Sequence, residues 1–281
     1  GVCIRMGNKI LVYRRGSIGD AIVSIPALNY LRGNNPHDEF RILTNQPVME
    51  RAAPLETIFG DNPICDGIFT MNRGGGSYSE LRDIRDKIRN WSPSRLVYLS
   101  EPSSSLKLIR EYVFFRSCGI HRFTALPIGG KLRTYRKMAN MRWEPEYERL
   151  LRAVSNETNC TADWKYEINP KNYEQAANII SSWTGKELYI ALSIGAKLPD
   201  KDWGDKNWDL SLKRLASINS SLGIMAIGSV EERERSATLL ANWPGPVINL
   251  CGQTPPLISA LVMKDAEFYL GHDSGPMHLA A

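Results

Sequence analysis

The stretch Gly271-His272-Asp273-Ser274-Gly275-Pro276-Met277-His278-Leu279-Ala280-Ala281 comes directly after an apolar run from Ala266 to Leu270. The apolar run predicts a strand, and Pro276 suits the first turn of a helix that the preceding Asp and Ser can cap. The free backbone N–H groups and the positive dipole end of such a helix bind phosphate. The stretch therefore predicts either a diphosphate pocket, with His278 about one helical turn along its rim, or a capped helix in which His278 only packs.

Strand-like and helix-like segments alternate along the rest of the chain in the same way. Apolar, β-rich runs predict strands at Lys9–Tyr13, Arg41–Thr44, Gly67–Thr70, Arg95–Leu99, Leu188–Leu192, Gly223–Ile227 and Val247–Leu250. Helical spacing of apolar residues predicts helices at Asp20–Leu31, Glu80–Ile88, Leu106–Arg116, Asn172–Trp183, Leu210–Ile218, Glu231–Ala241 and Pro256–Val262. This order predicts parallel sheets with helices on both faces.

A polar stretch from Asn156 to Asn169 separates the alternating segments into two sets. Each set has the size of a doubly wound domain, so we expect an α/β protein of two domains, residues 1–165 and residues 166–281. Ligands of open α/β sheets bind beyond the carboxyl ends of the strands. Three loops in such positions form the candidate site: residues 14–20, 193–208 and 271–278.

The loop Arg14-Arg15-Gly16-Ser17-Ile18-Gly19-Asp20 joins the first predicted strand to the first predicted helix. It lacks the G-x-G-x-x-G pattern and the lysine of a P-loop, so a dinucleotide-binding or ATP-hydrolysing role is disfavoured. Asp20 lies at the start of the helix, where it is either an N-cap or a general base. A carboxylate that only caps a helix is well hydrogen-bonded and a poor base, so this loop alone leaves both roles open.

Lysines follow the first predicted strand of the second domain. As point charges they are candidate partners of a diphosphate: Lys197, Lys201 and Lys206. Asp200-Lys201-Asp202 has the spacing of D-x-D, which some sugar transferases use for a divalent ion. A lysine stands between the two carboxylates, and we expect no metal ion here.

An acidic segment, Gly228–Arg235, follows the next predicted strand. A carboxylate at such a position, Glu232 among its neighbours Glu231 and Glu234, can accept hydrogen bonds from ribose hydroxyls. The alternative is an acidic first helical turn that the helix dipole favours.

The composition is that of a soluble globular protein, with 43% hydrophobic and 23% charged residues among 281. No apolar run approaches the ~20 residues of a membrane helix, and Gly1–Asn8 lacks the apolar core of a signal peptide. The five cysteines are widely scattered, and no pair of them has metal-ligand spacing. They indicate reduced thiols, and hence a cytosolic protein.

The net charge of +5 is not evenly spread. From His121 to Trp143 the sequence has no Asp or Glu and six basic residues: Arg122, Lys131, Arg133, Arg136, Lys137 and Arg142. We call residues 121–143 the basic segment. It suits an anionic partner, such as a phosphorylated lipid headgroup, an acidic sugar or a nucleic acid. A solvated loop and helix start is the alternative.

Two of these stretches resemble one protein family. The loop from Arg14 to Asp20, with the Ala-Ile-Val-Ser-Ile-Pro-Ala-Leu that follows, and the stretch from Gly271 to Ala281 resemble the glycosyltransferase family 9 enzymes, the ADP-heptose:lipopolysaccharide heptosyltransferases. Between them, Asp200–Trp208 is similar to that family's lysine-bearing phosphate loop, and Gly228–Arg235 to its glutamate-bearing segment. The resemblance begins at Lys9 and is diffuse in residues 46–189.

The resemblance implies a GT-B fold, in which two Rossmann-like parallel-sheet domains face a cleft, the first binding the acceptor and the second the nucleotide sugar. It implies transfer of heptose from ADP-heptose to the Kdo-containing inner core of lipopolysaccharide, with inversion and without a metal ion or other cofactor. Asp20 matches the proposed catalytic base, Lys201 the phosphate-binding lysine and Glu232 a ribose contact. The diphosphate loop is matched by Asp273, Ser274, Gly275, Pro276, Met277 and His278.

Such an enzyme works in the cytoplasm, peripherally at the inner face of the cytoplasmic membrane, on an anionic lipid-borne acceptor and not on nucleic acid. The basic residues Arg133, Arg136 and Lys137 of the first domain are candidate contacts to that acceptor. The family pattern continues past residue 281, so we expect the second domain of this chain to be incomplete. Transfer of another nucleotide sugar in O-antigen or other surface-glycan synthesis, and a non-catalytic nucleotide- or glycan-binding protein, are the alternatives.

Overall fold

The structure is a computed structural model that describes residues 7–46, 53–72, 77–101, 104–139, 141–155, 160–196 and 198–281. Contacts within the chain divide it into two units, and the boundary between them lies between Glu167 and Ile168. Each unit is an α/β structure built on its own parallel sheet.

The first unit contains a five-stranded sheet in the order β3-β2-β1-β4-β5. Its strands are β1 (Lys9–Tyr13), β2 (Glu39–Asn45), β3 (Gly67–Met71), β4 (Arg95–Tyr98) and β5 (Phe123–Thr124). Its helices are α1 (Ile18–Ile22), α2 (Ile25–Asn34), α3 (Glu56–Phe59), α4 (Tyr78–Trp91), α5 (Ser105–Ser117), α6 (Gly130–Arg133) and α7 (Glu146–Ser155). Leu11 and Tyr13 of β1 pack with Ile88 of α4 and Phe115 of α5 in a common core.

The second unit contains a four-stranded sheet in the order β8-β7-β6-β9. Its strands are β6 (Tyr189–Ser193), β7 (Gly223–Ala226), β8 (Val247–Asn249) and β9 (Tyr269–Gly271). Its helices are α8 (Pro170–Ser181), α9 (Asp205–Ile218), α10 (Arg233–Leu240), α11 (Pro256–Met263) and α12 (Gly275–Ala280), with short 3-10 helices at Pro199–Lys201 and Val230–Glu232. Successive residues of β6 belong to two different cores, so both faces of the sheet are covered, as is usual for parallel strands.

The expected α/β fold with two parallel sheets is confirmed, with local corrections. The single helix predicted at Asp20–Leu31 is two helices, α1 and α2. Pro26 has no backbone N–H to continue the first helix, and the Ser24 hydroxyl donates to the Ala21 carbonyl at 2.7 Å. The spacing of apolar residues did not predict the two-residue strand β5 or the helices α3, α6 and α7.

The strand order reverses once in each sheet, between β1 and β4 in the first and between β6 and β9 in the second. In open α/β sheets, ligands bind outside the carboxyl ends of the strands at such switch points. The loop after β1 and the loops after β6 and β9 therefore lie where the fold favours a site.

None of the helices in the described part of the chain has the length and apolar character of a membrane-spanning helix.

Candidate functional site

The Asp20 carboxylate folds back over the loop that follows β1. The helix α1 begins after Ser17, and Asp20 is its third residue. Asp20 is therefore not the N-cap that the sequence allowed: its Oδ2 accepts from the backbone N–H of Ser17 at 2.8 Å. The Asp20 side chain is 30% exposed, so the carboxylate is both fixed by its own loop and open to solvent.

Gly16 provides the space that the Asp20 carboxylate occupies. Its φ of +128° is a conformation that L residues rarely adopt, and a Cβ on Gly16 would lie 2.1 Å from the Asp20 Cγ. A glycine is required at this position for both reasons. Gly16 and Asp20 therefore depend on each other, because the Asp20 carboxylate fills the space that a side chain at position 16 would need.

Arg14 links the loops at the switch point of the first sheet. Its side chain is 1% exposed, and its Nε donates to the Asp20 carbonyl at 3.0 Å. Its Nη1 donates to the carbonyl of Leu99, after β4, at 2.7 Å, and its Nη2 lies 3.5 Å from the Asp20 Oδ1. Buried cations are found where such partners surround them, so Arg14 ties the conformation of the Asp20 loop to that of β4.

The Arg14 guanidinium also contacts a cluster of charged side chains on α7. Its Nη1 lies 3.3 Å from the Glu146 Oε1, and Glu146 also accepts two hydrogen bonds from Arg149, at 2.6 and 2.7 Å. The Tyr135 hydroxyl donates to the same carboxylate at 2.9 Å. Burial alone would raise the pKa of Glu146, but the Arg149 and Arg14 charges and the hydrogen bonds outweigh it and hold that pKa below its ordinary value.

The basic segment contains side chains in different surroundings. Arg133 donates from Nη1 to the Ser105 hydroxyl at the start of α5, at 3.2 Å, whereas Arg136 is exposed. The Lys137 ammonium lies 5.5 Å from the centre of the Trp143 ring. Glu144, just outside the segment, accepts from Arg152 at 2.7 Å. Arg136 and Lys137 are therefore exposed cations of the segment.

His272 joins two loops of the second unit at the switch point between β6 and β9. Its Nε2 accepts from the Trp203 backbone N–H at 3.0 Å, and its Nδ1 lies 3.0 Å from the Gly195 carbonyl oxygen. Because Nε2 accepts, the proton is on Nδ1, which donates to Gly195. The ring also stands edge-on to Trp208, with ring centres 5.2 Å apart.

Lys201 ends the short 3-10 helix and is exposed. It lies two residues before Trp203, so the hydrogen bond to His272 places its loop next to the stretch that begins at Asp273. Lys206 is exposed in the first turn of α9, and Lys197 lies outside the described residues.

Asp202, the second acid of the D-x-D pattern, is occupied by Arg235. The Arg235 guanidinium donates to both oxygens of the Asp202 carboxylate, at 2.6 and 3.0 Å, and lowers the pKa of that group. Among the residues that the structure describes, no group of three or more His, Cys, Asp or Glu side chains could hold a metal ion.

The Glu232 carboxylate lies over two glycines that follow neighbouring strands. Its Oε2 accepts from the Ser229 N–H at 3.0 Å. A Cβ on Gly195, after β6, or on Gly228, after β7, would lie 2.0 Å from one of its oxygens. Glu232 therefore reaches the carboxyl ends of both strands, whereas Glu231 and Glu234 are exposed.

The stretch after β9 differs in detail from its expected form. Helix α12 begins at Gly275, and Ser274 occupies the N-cap position. The Ser274 hydroxyl donates to the His272 carbonyl at 3.3 Å and does not accept from the first turn, so the expected capping by its side chain is wrong. His278 lies 3.8 Å from Asp273, between Nε2 and Oδ1. Pro276 and Met277, in the first turn, are half-buried.

The loops after β6, β7 and β9 therefore meet around His272 and Glu232, while Asp20 lies in the first unit. The sequence did not indicate the roles of Arg14, His272 and Arg235. Arg14 and His272 both follow a strand directly, which was the available signal. Arginine is rarely buried fully, so the role of Arg14 could not be read from its residue type.

Comparisons with known proteins give a family and a fold. The model of glycosyltransferase family 9 (heptosyltransferase) matches residues 118–281, more than half of the chain. Among curated proteins, none matches the sequence significantly.

Three solved structures are similar to this chain over 97% of its length. A family 9 glycosyl transferase from Veillonella parvula has a TM-score of 0.70 at 18% identity, with 77% of that chain covered. The Escherichia coli ADP-heptose lipopolysaccharide heptosyltransferase II has a TM-score of 0.68 at 18% identity, with 81% covered. The Escherichia coli heptosyltransferase WaaC with ADP-2-deoxy-2-fluoro heptose has a TM-score of 0.64 at 15% identity, with 85% covered. At these identities the likeness shows the fold.

The charged cluster predicts how stability depends on pH. We expect Glu146→Gln to lower the free energy of unfolding at neutral pH by about 3–5 kcal/mol, because it leaves buried cations without their partner. The folded-state pKa of Glu146 is lowered, so the contribution is complete above the unfolded value of about 4.3 and is lost as pH falls through the folded value.

Urea unfolding of the parent and the variant between about pH 7 and pH 3 measures this dependence. The difference between them is expected to shrink as the pH falls. Glu56→Gln, an exposed glutamate of the same unit, is the control and is expected to change little. A difference between parent and Glu146→Gln that stays constant over the whole range would contradict the assignment.

Proposed function

This chain belongs to glycosyltransferase family 9, and we propose that it transfers a heptose from ADP-heptose to the Kdo-containing inner core of lipopolysaccharide. The family makes it a glycosyltransferase; the donor, the acceptor and inversion at the anomeric carbon are our proposal. The observation that carries it is the meeting of three strand-end loops around His272 and Glu232 at the switch point of the second sheet. Nucleotides bind at such switch points in doubly wound folds.

We assign the nucleotide sugar to the second unit. Glu232 is positioned by the Ser229 N–H, and its carboxylate is suited to accept from ribose hydroxyls. Lys201 supplies a mobile positive charge for the diphosphate. The remaining contacts come from the loop and first turn after β9: Asp273, Ser274, Gly275, Pro276, Met277 and His278. The Ser274 hydroxyl is directed to the His272 carbonyl, so it does not occupy the first turn of the helix as a cap.

We assign the role of catalytic base to Asp20. Its Oδ2 is used by the Ser17 N–H, while among the described residues Oδ1 has only the long 3.5 Å contact to Arg14. Oδ1 is therefore the oxygen that can take a proton from an acceptor hydroxyl. An inverting transfer needs one such base and positive groups for the departing diphosphate, and the residues assigned here supply both without a metal ion.

We assign the acceptor to the first unit, which corresponds to the predicted domain of residues 1–165. Phosphates and carboxylates make a Kdo-bearing lipid anionic, and Arg133, Arg136 and Lys137 of the basic segment carry opposite charge. Such an acceptor is borne by a membrane, so we propose that the protein works in the cytoplasm, peripherally at the inner face of the cytoplasmic membrane.

Replacing the proposed base gives a sharp test. Asn at position 20 keeps an oxygen that accepts from the Ser17 N–H, so the loop is retained while the base is lost. We expect Asp20→Asn to lower kcat by about 10²–10⁴-fold and to leave the donor Kd unchanged. Transfer from ADP-heptose to a Kdo-bearing acceptor is the assay.

Asp61→Asn, an exposed aspartate of the first unit, serves as the control and is expected to keep parent activity. A variant at Asp20 with parent kcat would remove Asp20 from catalysis. A parent that binds nucleotide but transfers no sugar would instead indicate a non-catalytic relative. A thermal-shift panel of nucleotide sugars identifies the donor, and preference for a UDP- or dTDP-sugar would contradict ADP-heptose.

Lys201→Ala tests the diphosphate contact. A lost hydrogen bond to a charged group costs about 1.5–3 kcal/mol, so we expect ADP binding to weaken by about 10–150-fold. Isothermal titration calorimetry measures the affinity, and the exposed Lys171→Ala in α8 is the control. Unchanged affinity for Lys201→Ala would assign this side chain to the solvated surface, and a larger loss for Lys206→Ala would move the contact to α9.

The acceptor site is tested through salt dependence. We expect the triple variant Arg133→Ser, Arg136→Ser, Lys137→Ser to raise the KM for the anionic acceptor and to flatten its dependence on salt, since exposed charges are screened over ~8 Å at physiological ionic strength. The donor KM is expected to stay unchanged. An acceptor KM equal to that of the parent at low salt would show that the basic segment is ordinary surface.

A further inference from the structure

The outer face of α5 carries apolar side chains that the first unit does not bury. Leu106 is 77% exposed, and Ile109 and Val113 are each 59% exposed. Their spacing, three and then four residues apart, places them along one side of the helix. A helix on the surface of a soluble domain normally turns such a stripe toward the core. The exposed stripe therefore indicates a surface that binds a partner.

The inner face of α5 is fixed, which prevents the helix from rotating to bury the stripe. Glu111 accepts from the hydroxyls of Tyr13, at 3.1 Å, and Tyr98, at 2.7 Å. Phe115 is buried and packs edge-on against Tyr13, with ring centres 5.0 Å apart. Two polar anchors from neighbouring strands and one aromatic contact thus hold the stripe outward.

Charge on the same helix is separated between its two faces. Lys107, Arg110 and Arg116 are exposed, whereas the single acid of the helix, Glu111, is directed to the sheet and is mostly buried. The apolar stripe is therefore flanked by three exposed cations and by no exposed acid of the helix. Tyr112, with an apolar ring and a polar hydroxyl, lies at the edge of this stripe, where its ring centre is 5.0 Å from that of Phe123 and the residue is 39% exposed.

This pattern distinguishes between possible occupants. A two-fold contact with a second copy would bring the same three cations against one another, and like charges across an interface are unfavourable. The surface of a bilayer with anionic phospholipid offers the opposite arrangement, since headgroup phosphates attract the cations while the apolar side chains enter the boundary below them. Long basic side chains and tyrosine suit that depth, having an apolar body and a polar end.

We propose that the outer face of α5 docks the protein on a bilayer that contains anionic phospholipid. Arg133 of the basic segment donates to Ser105 at the first turn of α5, so the proposed acceptor contacts begin beside the docking face. The inference extends the proposed function, in which a lipid-borne acceptor is used, but lipid binding is measured without donor or acceptor and fails or succeeds independently of sugar transfer.

Vesicle flotation of the full chain tests the proposal. The parent is expected to bind vesicles of phosphatidylethanolamine with phosphatidylglycerol and to bind phosphatidylcholine vesicles weakly. Two variants change the face: the apolar variant carries Leu106→Ser, Ile109→Ser and Val113→Ser, and the charge variant carries Lys107→Glu, Arg110→Glu and Arg116→Glu. We expect each to lose binding by more than about tenfold, and the apolar variant to keep a weak, salt-sensitive remainder.

Matched controls lie on exposed positions of the second unit. For the apolar variant the control is the pair Leu210→Ser and Ile218→Ser on α9, and for the charge variant it is Lys171→Glu, Lys186→Glu and Lys264→Glu. All variants replace exposed side chains, and unchanged circular dichroism and thermal unfolding verify their folding. If the triple apolar variant unfolds, the single substitution Leu106→Ser is tested in its place.

Three outcomes would overturn the proposal. One is parent-level lipid binding by both α5 variants. Another is an equal loss in the controls, which would indicate attraction by net charge alone. The third is a concentration-dependent dimer, seen by light scattering, that Leu106→Ser abolishes, because this would assign the face to a second copy of the chain. Sugar transfer to a detergent-solubilised acceptor is expected to be equal for the parent and the α5 variants.

Discussion

The guanidinium of Arg14 has almost no access to water, and the first unit is arranged to satisfy it. A buried cation is stable only where hydrogen-bond acceptors and opposite charge surround it. Here the acceptors come from the Asp20 loop, from the Leu99 carbonyl after β4 and from Glu146 on α7. Because these three elements meet at one side chain, the switch point of the sheet, the candidate base and the helix beside the basic segment are held as one structure.

The same local arrangement positions the two candidate carboxylates, Asp20 and Glu232. In Gly16-Ser17-Ile18-Gly19-Asp20 and in Gly228-Ser229-Val230-Glu231-Glu232, a glycine and a serine follow a strand, and an acid stands three residues after the serine. In each case the acid accepts from the serine N–H and lies against the glycine. The backbone thus positions each carboxylate through one oxygen. A cap and a functional group are therefore compatible roles for one carboxylate.

Local sequence patterns predict secondary structure, but they do not predict contacts between residues that are far apart in the chain. Apolar periodicity located most strands and helices, because burial on a sheet repeats over a few residues. It missed β5, which has two residues, and α7, whose acids and arginines form a buried cluster. Glu146 is 132 residues from Arg14, and no local pattern pairs residues at that separation. The loops of the candidate site were predictable because a parallel sheet collects them at one edge, but His272 as their link was not.

His272 links the loops of the second unit through hydrogen bonds and ring packing. Its two ring nitrogens are both used, one accepting from Trp203 and one facing the Gly195 carbonyl. The Trp203 N–H occupies Nε2, so the proton of this tautomer is on Nδ1. The ring packs edge-on against Trp208, whose burial fixes it in the core of the second unit. The arrangement therefore links loop, ring and core, and in the proposed function the positive charge for the diphosphate comes from the exposed Lys201.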